Sequence, residues 1–430
     1  MINTLKHYSI NFSWMMLENL VKILVGFTIS VYVIRYLGPK DFGLISYSLS
    51  IVGILTPFAS LGLDAILFRN LINDSANEAT LIYTAKVLKL LASIFLIIIS
   101  IPILYFYTDQ NDFFYIFTLL LIGLLIDVFA LYKEYFLSIE KTKYITISSI
   151  ISLVFSSILN ITLVLLKSYV VWFAIVYLVQ KIINIIGLKY YYKKKSSNKK
   201  SKFDFSLAKT MLQDSWPLIF TSFAGLLYMS TDQILIKYFL DFEQVGLYAT
   251  AVKLIMVFYV IPSILSNILY PKLIQSYKSL ARNDFLKKVQ VLYFFNLLIA
   301  ILILLFFILF GEDIILFLFG NEFLPSTEVL HIYSFGLIFV FFGSMNNKIL
   351  MMENMQKLML GRTILGLILN LILNLILIPE YGIVGGAIST VFSEFLIMLS
   401  YGLNSRIKYI LVLQLKAFVY PFIVIMKNIK

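Results

Sequence analysis

Twelve apolar stretches follow one another along this chain with little between them, at 11–36, 43–65, 83–107, 114–138, 144–166, 171–192, 210–237, 246–272, 289–310, 329–352, 358–378 and 383–403. A helix needs roughly 20 mostly apolar residues to cross a bilayer. Composition agrees: 60% of the residues are hydrophobic and 13% charged, against about a quarter charged in a soluble domain. The reading is an all-α polytopic membrane protein, which excludes soluble enzymes, nucleic-acid binders and disordered chains. The first stretch has no small-residue cleavage site and is expected to remain as an anchor. The tail 404–430 holds a further apolar run, 409–426, interrupted by Gln414, Lys416 and Pro421. It is expected as a cytoplasmic or interfacial helix.

Loop charges set the orientation. With the N-terminus in the cytoplasm, the inward segments include KKKSSNKKSK at 193–202, while the outward loops carry only Lys40 and Lys167 as basic residues. Those outward loops hold acids such as Asp41, Asp109, Asp112, Asp241, Glu243, Glu312, Asp313 and Glu380. Most of the net charge of +12 is therefore a topology signal and implies no nucleic-acid partner. There are no cysteines, and the two histidines are His7 and His331. No thiolate or multi-histidine metal site is expected. GxxxxGKS, HExxH and GxSxG patterns are absent, so the expectation is a non-enzyme without catalytic residues.

The chain repeats. YLGPKDFGLISYSL at 36–49 is echoed by FLDFEQVGLYATAV at 239–252, an offset of 203 residues or six helices. The expected organisation is an N-terminal lobe 1–192, a basic cytoplasmic linker 193–209, a C-terminal lobe 210–403 and the tail. Parallel repeats of this kind occur in transporters, with substrate handled between them.

Charges inside the spans supply the candidate site residues, because an ion facing lipid costs about 2.5–3.5 kcal/mol even on the lenient insertion scale. Lys22, Lys181 and Lys253 lie deep, as do the acids Glu18, Asp127 and Glu394, with Asp232 nearer an outer end. Lys89 and Arg362 lie near span ends, where snorkelling is expected. Asn11, Glu18 and Lys22 share one helix face, and Glu18 and Lys22 can pair at i,i+4. Polar stripes recur as Ser149, Ser152, Ser156 and Asn160, and as Asn370 and Asn374; both suit hydrogen bonding between helices. Asp214, Thr221, Gly225 and Asp232 form another stripe. Pro57, Pro217 and Pro262 are positioned to kink their helices.

VIRYLGPKDFGLISYSLSI (33–51), TDQILIKYFLDFEQVGLYATAVKL (231–254) and IPEYGIVGGAISTVFSEF (378–395) resemble, in order and spacing, motifs of the bacterial polysaccharide transporter family. That family contains the Wzx-type flippases of O-antigen and capsule repeat units and belongs to the multidrug/oligosaccharidyl-lipid/polysaccharide exporter superfamily. The resemblance implies two six-helix lobes arranged as a V around a central cavity in the cytoplasmic membrane. It implies an undecaprenyl-pyrophosphate-linked glycan as substrate, with membrane lipids and the polymerase and chain-length proteins of the same pathway as partners. On this reading Lys22, Arg35, Arg69, Lys181 and Lys253 form a cationic substrate site. Glu18, Asp127, Asp232 and Glu394 are the ion-coupling candidates, driven by a proton or sodium gradient without other cofactors. The alternatives are a drug or small-cation exporter of the same superfamily, and a membrane polymerase or glycosyltransferase.

Overall fold

The computed structural model describes the chain except for residues 1–12, 15, 75–76, 108–109, 196–200 and 429–430. His7, Asn11, Asp109 and the middle of the basic run lie outside the described residues. No strand occurs among the described residues. The twelve apolar stretches fall on helical backbone wherever they are described, apart from the turn residues Leu61, Gly62, Leu166 and Phe335.

Two compact units form, Met1–Ser230 and Thr231–Lys430. In the first, a π-helical turn at Lys22–Gly26 leads into α1, Phe27–Ser60. Then follow α2 (Leu63–Asn73), α3 (Glu78–Tyr107), α4 (Asn111–Asp127), α5 (Leu131–Ser138), α6 (Thr142–Leu165) and α7 (Val171–Lys195). Helix α8, Phe205–Phe239, contains the boundary between the units. The second unit continues with α9 (Phe242–Met256), α10 (Val260–Ser279), α11 (Arg282–Leu318), α12 (Ser326–Ser334), α13 (Gly336–Met352), α14 (Gln356–Leu399) and α15 (Lys408–Asn428).

Nine helical stretches among the described residues are long and apolar enough to cross a membrane, or ten if α12 and α13, bent by 41°, make one span. Two of the nine turn at a glycine: Gly38 has φ 72° inside α1, and Gly382 has φ 60° inside α14. Both conformations are left-handed, where a Cβ is unfavourable. Gly38 stands 203 residues before Asp241, where α8 gives way to α9 and the Asp241 side chain caps the Gln244 N–H at 2.9 Å. The offset of the sequence repeat is thus also the offset between two chain breaks.

Each unit has its own apolar core. In the first, Leu63, Leu67, Leu71, Ala85, Leu131 and Phe136 pack together. In the second, Val289, Tyr293, Phe342, Met345 and Ile349 form the centre, and Ile410, Leu413 and Ala417 of α15 are buried among them. Exposed positions on the spans are held by residues such as Phe95, Phe106, Leu309 and Phe317. Apolar surface turned outward is what a bilayer solvent requires. Gln414, in the middle of α15, is fully buried and donates to Asn346 Oδ1 at 3.1 Å. Tyr293 donates to the same oxygen at 2.5 Å.

The serine stripe of α6 does not work as expected. Ser149, Ser152 and Ser156 are buried, but Ser152 and Ser156 donate to carbonyls of their own helix, Ser149 and Leu153. A serine hydroxyl on a helix satisfies itself on the preceding turn, so the stripe supplies small packing surface instead of interhelical bonds.

Candidate functional site

The second unit encloses one carboxylate completely. Asp232, near the end of α8, is 5% exposed. Four donors converge on it. Asn374 Nδ2 and Asn370 Nδ2 donate to Oδ1 at 2.6 and 3.1 Å. Thr390 Oγ1 and Tyr248 Oη donate to Oδ2 at 2.6 and 2.5 Å. Asn374 also donates to Asn370 Oδ1 at 3.0 Å. All four groups are neutral, so among the described residues the carboxylate has hydrogen bonds but no ion pair. An ionised group in low dielectric without a compensating charge is costly. Beside it Asn374 Oδ1 is a buried oxygen without a hydrogen-bond partner.

Local sequence explains how the cage is built. Asn370 and Asn374 lie one turn apart on the first half of α14 and so share a face. The chain reverses at Gly382, and the second half of α14 returns Thr390 to the same place. A Cβ at Gly385 would stand 2.2 Å from the Leu377 carbonyl oxygen, so the two halves meet only because that position has no side chain. A Cβ at Gly386 would stand 3.3 Å from the Tyr248 ring and 3.4 Å from Ile236. The glycines of IPEYGIVGGAIS therefore fit the backbone around a tyrosine and an aspartate brought in by α9 and α8.

Sequence reasoning selected Asp232 and the Asn370–Asn374 stripe but not Tyr248 or Thr390. The signal was available in part: Tyr248 lies in the second motif and Thr390 in the third. The Asp214–Asp232 stripe does not act as a unit. Asp214 pairs with Arg69 of α2, and Thr221 bonds its own helix at Pro217.

In the first unit the charged candidates are paired. Lys22 is exposed and lies 2.6 Å from Glu18, the i,i+4 pair expected from spacing. Glu18 also receives the Thr146 hydroxyl at 3.4 Å. Lys181 on α7 lies 2.6 Å from Asp127 at the end of α4. Lys89 was expected to snorkel; instead it is 4% exposed and ion-paired with Asp64 at 2.5 Å. Burial of the whole stem makes an internal partner the only way to hold that charge. Arg35 is exposed on α1, two residues before the end of its helical run at Leu37. In the second unit Lys253 is half-buried on α9 and Glu394 half-buried on α14. Arg362, also expected at a snorkelling position, turns inward to donate to the Ile397 carbonyl at 2.6 Å and lies against the Tyr401 ring. Among the described residues no group of three or more His, Cys, Asp or Glu could hold a metal ion.

Known structures share this fold. The lipid II flippase MurJ, in an inward closed conformation, matches with a TM-score of 0.71 at 15% identity, covering 97% of this chain and 93% of that one. An inward-facing multidrug resistance MATE family transporter of the MOP superfamily matches with 0.66 at 14% identity, covering 94% and 97%. The class is thus a multi-pass α-helical membrane protein with the fold of MOP-superfamily transporters. In sequence, the chain is 26% identical over 409 residues to the capsular polysaccharide biosynthesis protein CapF of Staphylococcus aureus, covering 91% of this chain and 97% of that protein. Residues 10–277 match the profile of the polysaccharide biosynthesis proteins, and the chain belongs to that family.

Proposed function

We propose that this protein is a flippase for lipid-linked polysaccharide. It moves undecaprenyl-pyrophosphate-linked oligosaccharide repeat units from the inner to the outer leaflet of the bacterial cytoplasmic membrane, with its N-terminus in the cytoplasm. Membership of a polysaccharide biosynthesis family and the MurJ-like fold support the substrate class. In the first unit Lys22, Arg69 and Lys181 lie in ion pairs that an anionic headgroup can enter.

Alternating access is coupled to a cation taken up at Asp232. The observation that carries this reading is a carboxylate buried at 5% exposure among four neutral donors. Such a group gains most from a proton or a monovalent cation, since either supplies the missing positive charge. The donor set fits sodium as well as a proton. Asp232, the Thr390 hydroxyl and the amide oxygens of Asn370 and Asn374 are all hard oxygens, and the Asn374 oxygen has no partner. Hard oxygen ligands suit small unpolarizable cations. Glu18 and Asp127, already bonded to lysines, lack that opening.

The test is complementation of a strain lacking this protein. The Asp232→Asn protein, expressed at normal level, is expected to leave the cell without surface polysaccharide. Thermal unfolding of the purified protein in sodium and potassium chloride then identifies the ion. A sodium site raises the wild-type midpoint in sodium only, and Asp232→Asn removes that difference. Full surface polysaccharide with Asp232→Asn would overturn the coupling role. A change in drug susceptibility without any change in polysaccharide would overturn the substrate class.

A further inference from the structure

The Asp127–Lys181 pair differs from an ordinary structural ion pair in what surrounds it. Lys181 lies in a prepared slot. A Cβ at Gly123, one turn before Asp127, would stand 3.4 Å from Lys181 Nζ and 3.2 Å from Leu178 Cδ2, so the absent side chain leaves room for the lysine. The ammonium also lies over the Tyr177 ring, 5.0 Å from its centroid. Cation–π contact at this range holds a lysine without consuming its hydrogen-bonding capacity. The lysine therefore has a seat that does not depend on Asp127. Its side chain is 20% exposed and that of Asp127 37%, so both remain reachable.

Asp127 in turn has somewhere else to go. Asp127 also lines a cavity of about 20 Å³, with Thr56, Ala59, Ser60, Lys89, Ser93, Leu124 and Val128 around it. A space of this size holds about one water molecule, or one carboxylate oxygen. Its lining is mostly apolar, and the Thr56, Ser60 and Ser93 hydroxyls donate to the Val52, Pro57 and Leu124 carbonyls. Lys89 and Asp64 are both within electrostatic reach of Asp127, and Lys89 is fixed by Asp64 at the far side. The order of charges is Asp64, Lys89, cavity, Asp127, Lys181, drawn from α2, α3, α4 and α7. The carboxylate thus has two lysines within reach, one bonded and one that lines the same cavity.

We propose that Lys181 is a guarded anion site, in which Asp127 occupies the ammonium until a phosphoryl group displaces it toward Lys89. The carboxylate is an internal stand-in for the substrate anion. On arrival of a pyrophosphate, the Asp127 side chain rotates into the cavity that it lines together with Lys89 and takes Lys89 as its partner. Lys181 then holds the phosphoryl group, and Asp127 shares Lys89 with Asp64. The guard also keeps an uncompensated lysine out of the bilayer when no substrate is present, which agrees with the cost of a bare intramembrane cation. This inference rests on the flippase reading for the identity of the anion but not for its existence.

Removing a carboxylate also lowers its repulsion of any nearby anion, so displacement is read from the tighter binding of Asp127→Asn together with the response to Lys89→Gln. The test titrates inorganic pyrophosphate into the full-length protein in phosphatidylcholine nanodiscs, followed by calorimetry. Asp127→Asn is expected to tighten binding about tenfold, the change produced by 1.4 kcal/mol of lost competition. Lys181→Gln is expected to abolish it, and Lys181→Arg, which retains the charge, to keep it within a few-fold. Lys89→Gln is expected to weaken binding in the wild type but not in the Asp127→Asn background, because the receiving partner matters only while a carboxylate must be received. Unchanged or weakened binding in Asp127→Asn, or no binding in either protein, would overturn the proposal. Loss of pyrophosphate binding in phosphatidylglycerol nanodiscs would overturn the substrate assignment by showing that bilayer headgroups fill the site. Tighter binding in Asp127→Asn alongside surface polysaccharide that needs none of this chain would keep the guarded site and remove the flippase reading.

Discussion

Two carboxylates on spanning helices, one in each unit, are treated in opposite ways. Asp127 meets a lysine at 2.6 Å and has a second lysine in reach. Asp232 meets two amides and two hydroxyls and no ammonium. Both solutions satisfy the oxygen lone pairs, so hydrogen-bond accounting alone does not separate them. Charge accounting does. The Asp127 pair is neutral as it stands, whereas the Asp232 cage is one positive charge short. The first arrangement suits a contact that is exchanged for another anion; the second suits a place that fills and empties with a cation.

The sharpest way to break this contrast is to neutralise each acid in turn. Asp232→Asn is expected to lower transport about hundredfold or more, as loss of a group that acts in every cycle does. Asp127→Asn is expected to lower it less than tenfold. The rate at which surface polysaccharide appears after induction measures both, and equal losses would erase the distinction. Stability supplies the next test. Lys89→Ala leaves Asp64 and the gap beside Asp127 without their cation. Because Asp64 is 48% exposed and rehydrates, the cost is placed at about 1–3 kcal/mol, below that of breaking a fully buried pair. Denaturant unfolding in detergent would show it.

The cage can also be disturbed without touching a polar atom. Gly386→Ala puts a methyl group 3.3 Å from the Tyr248 ring. The ring must give way by a few tenths of an ångström, for about 1 kcal/mol of overpacking and a few-fold loss of transport. The sodium-dependent stabilisation should fall with it if the tyrosine hydroxyl helps hold the site. The smallest effect belongs to Arg69→Ala. The Arg69–Asp214 pair has both partners about half exposed, and exposed pairs contribute roughly 0–1 kcal/mol. A shift in unfolding midpoint beyond that would mean the pair does more than tether α2 to α8.

Much of this was legible in the sequence, and the exceptions share a cause. Helical periodicity reports which residues share a face, so Glu18 with Lys22 and Asn370 with Asn374 could be read directly. Breaks at Gly38 and Gly382 lay inside recognisable motifs, since only glycine takes their backbone angles without strain. Periodicity does not report what the facing helix carries. Lys181 meets Asp127 from 54 positions away, and Lys89 meets Asp64 from 25. Lys89 looked like a residue reaching for the interface because nothing in its own helix revealed an acid on α2. Thr390 looked like one hydroxyl among many until the reversal at Gly382 brought it back to Asn370.

The glycine reversal in α14 also bears on how the cage comes into being. Asp232 and Tyr248 lie 16 positions apart, and Asn370 and Thr390 lie 20 apart. Each half is therefore a local hairpin, closed by residues near one another in sequence. More than a hundred residues separate the two halves, so a ribosome has finished the first well before the second exists. During that interval the acid waits without its amides. A chain severed between α11 and α12 and expressed as two pieces should still assemble the cage, since each hairpin lies whole within one piece and the two need only meet at Asp232.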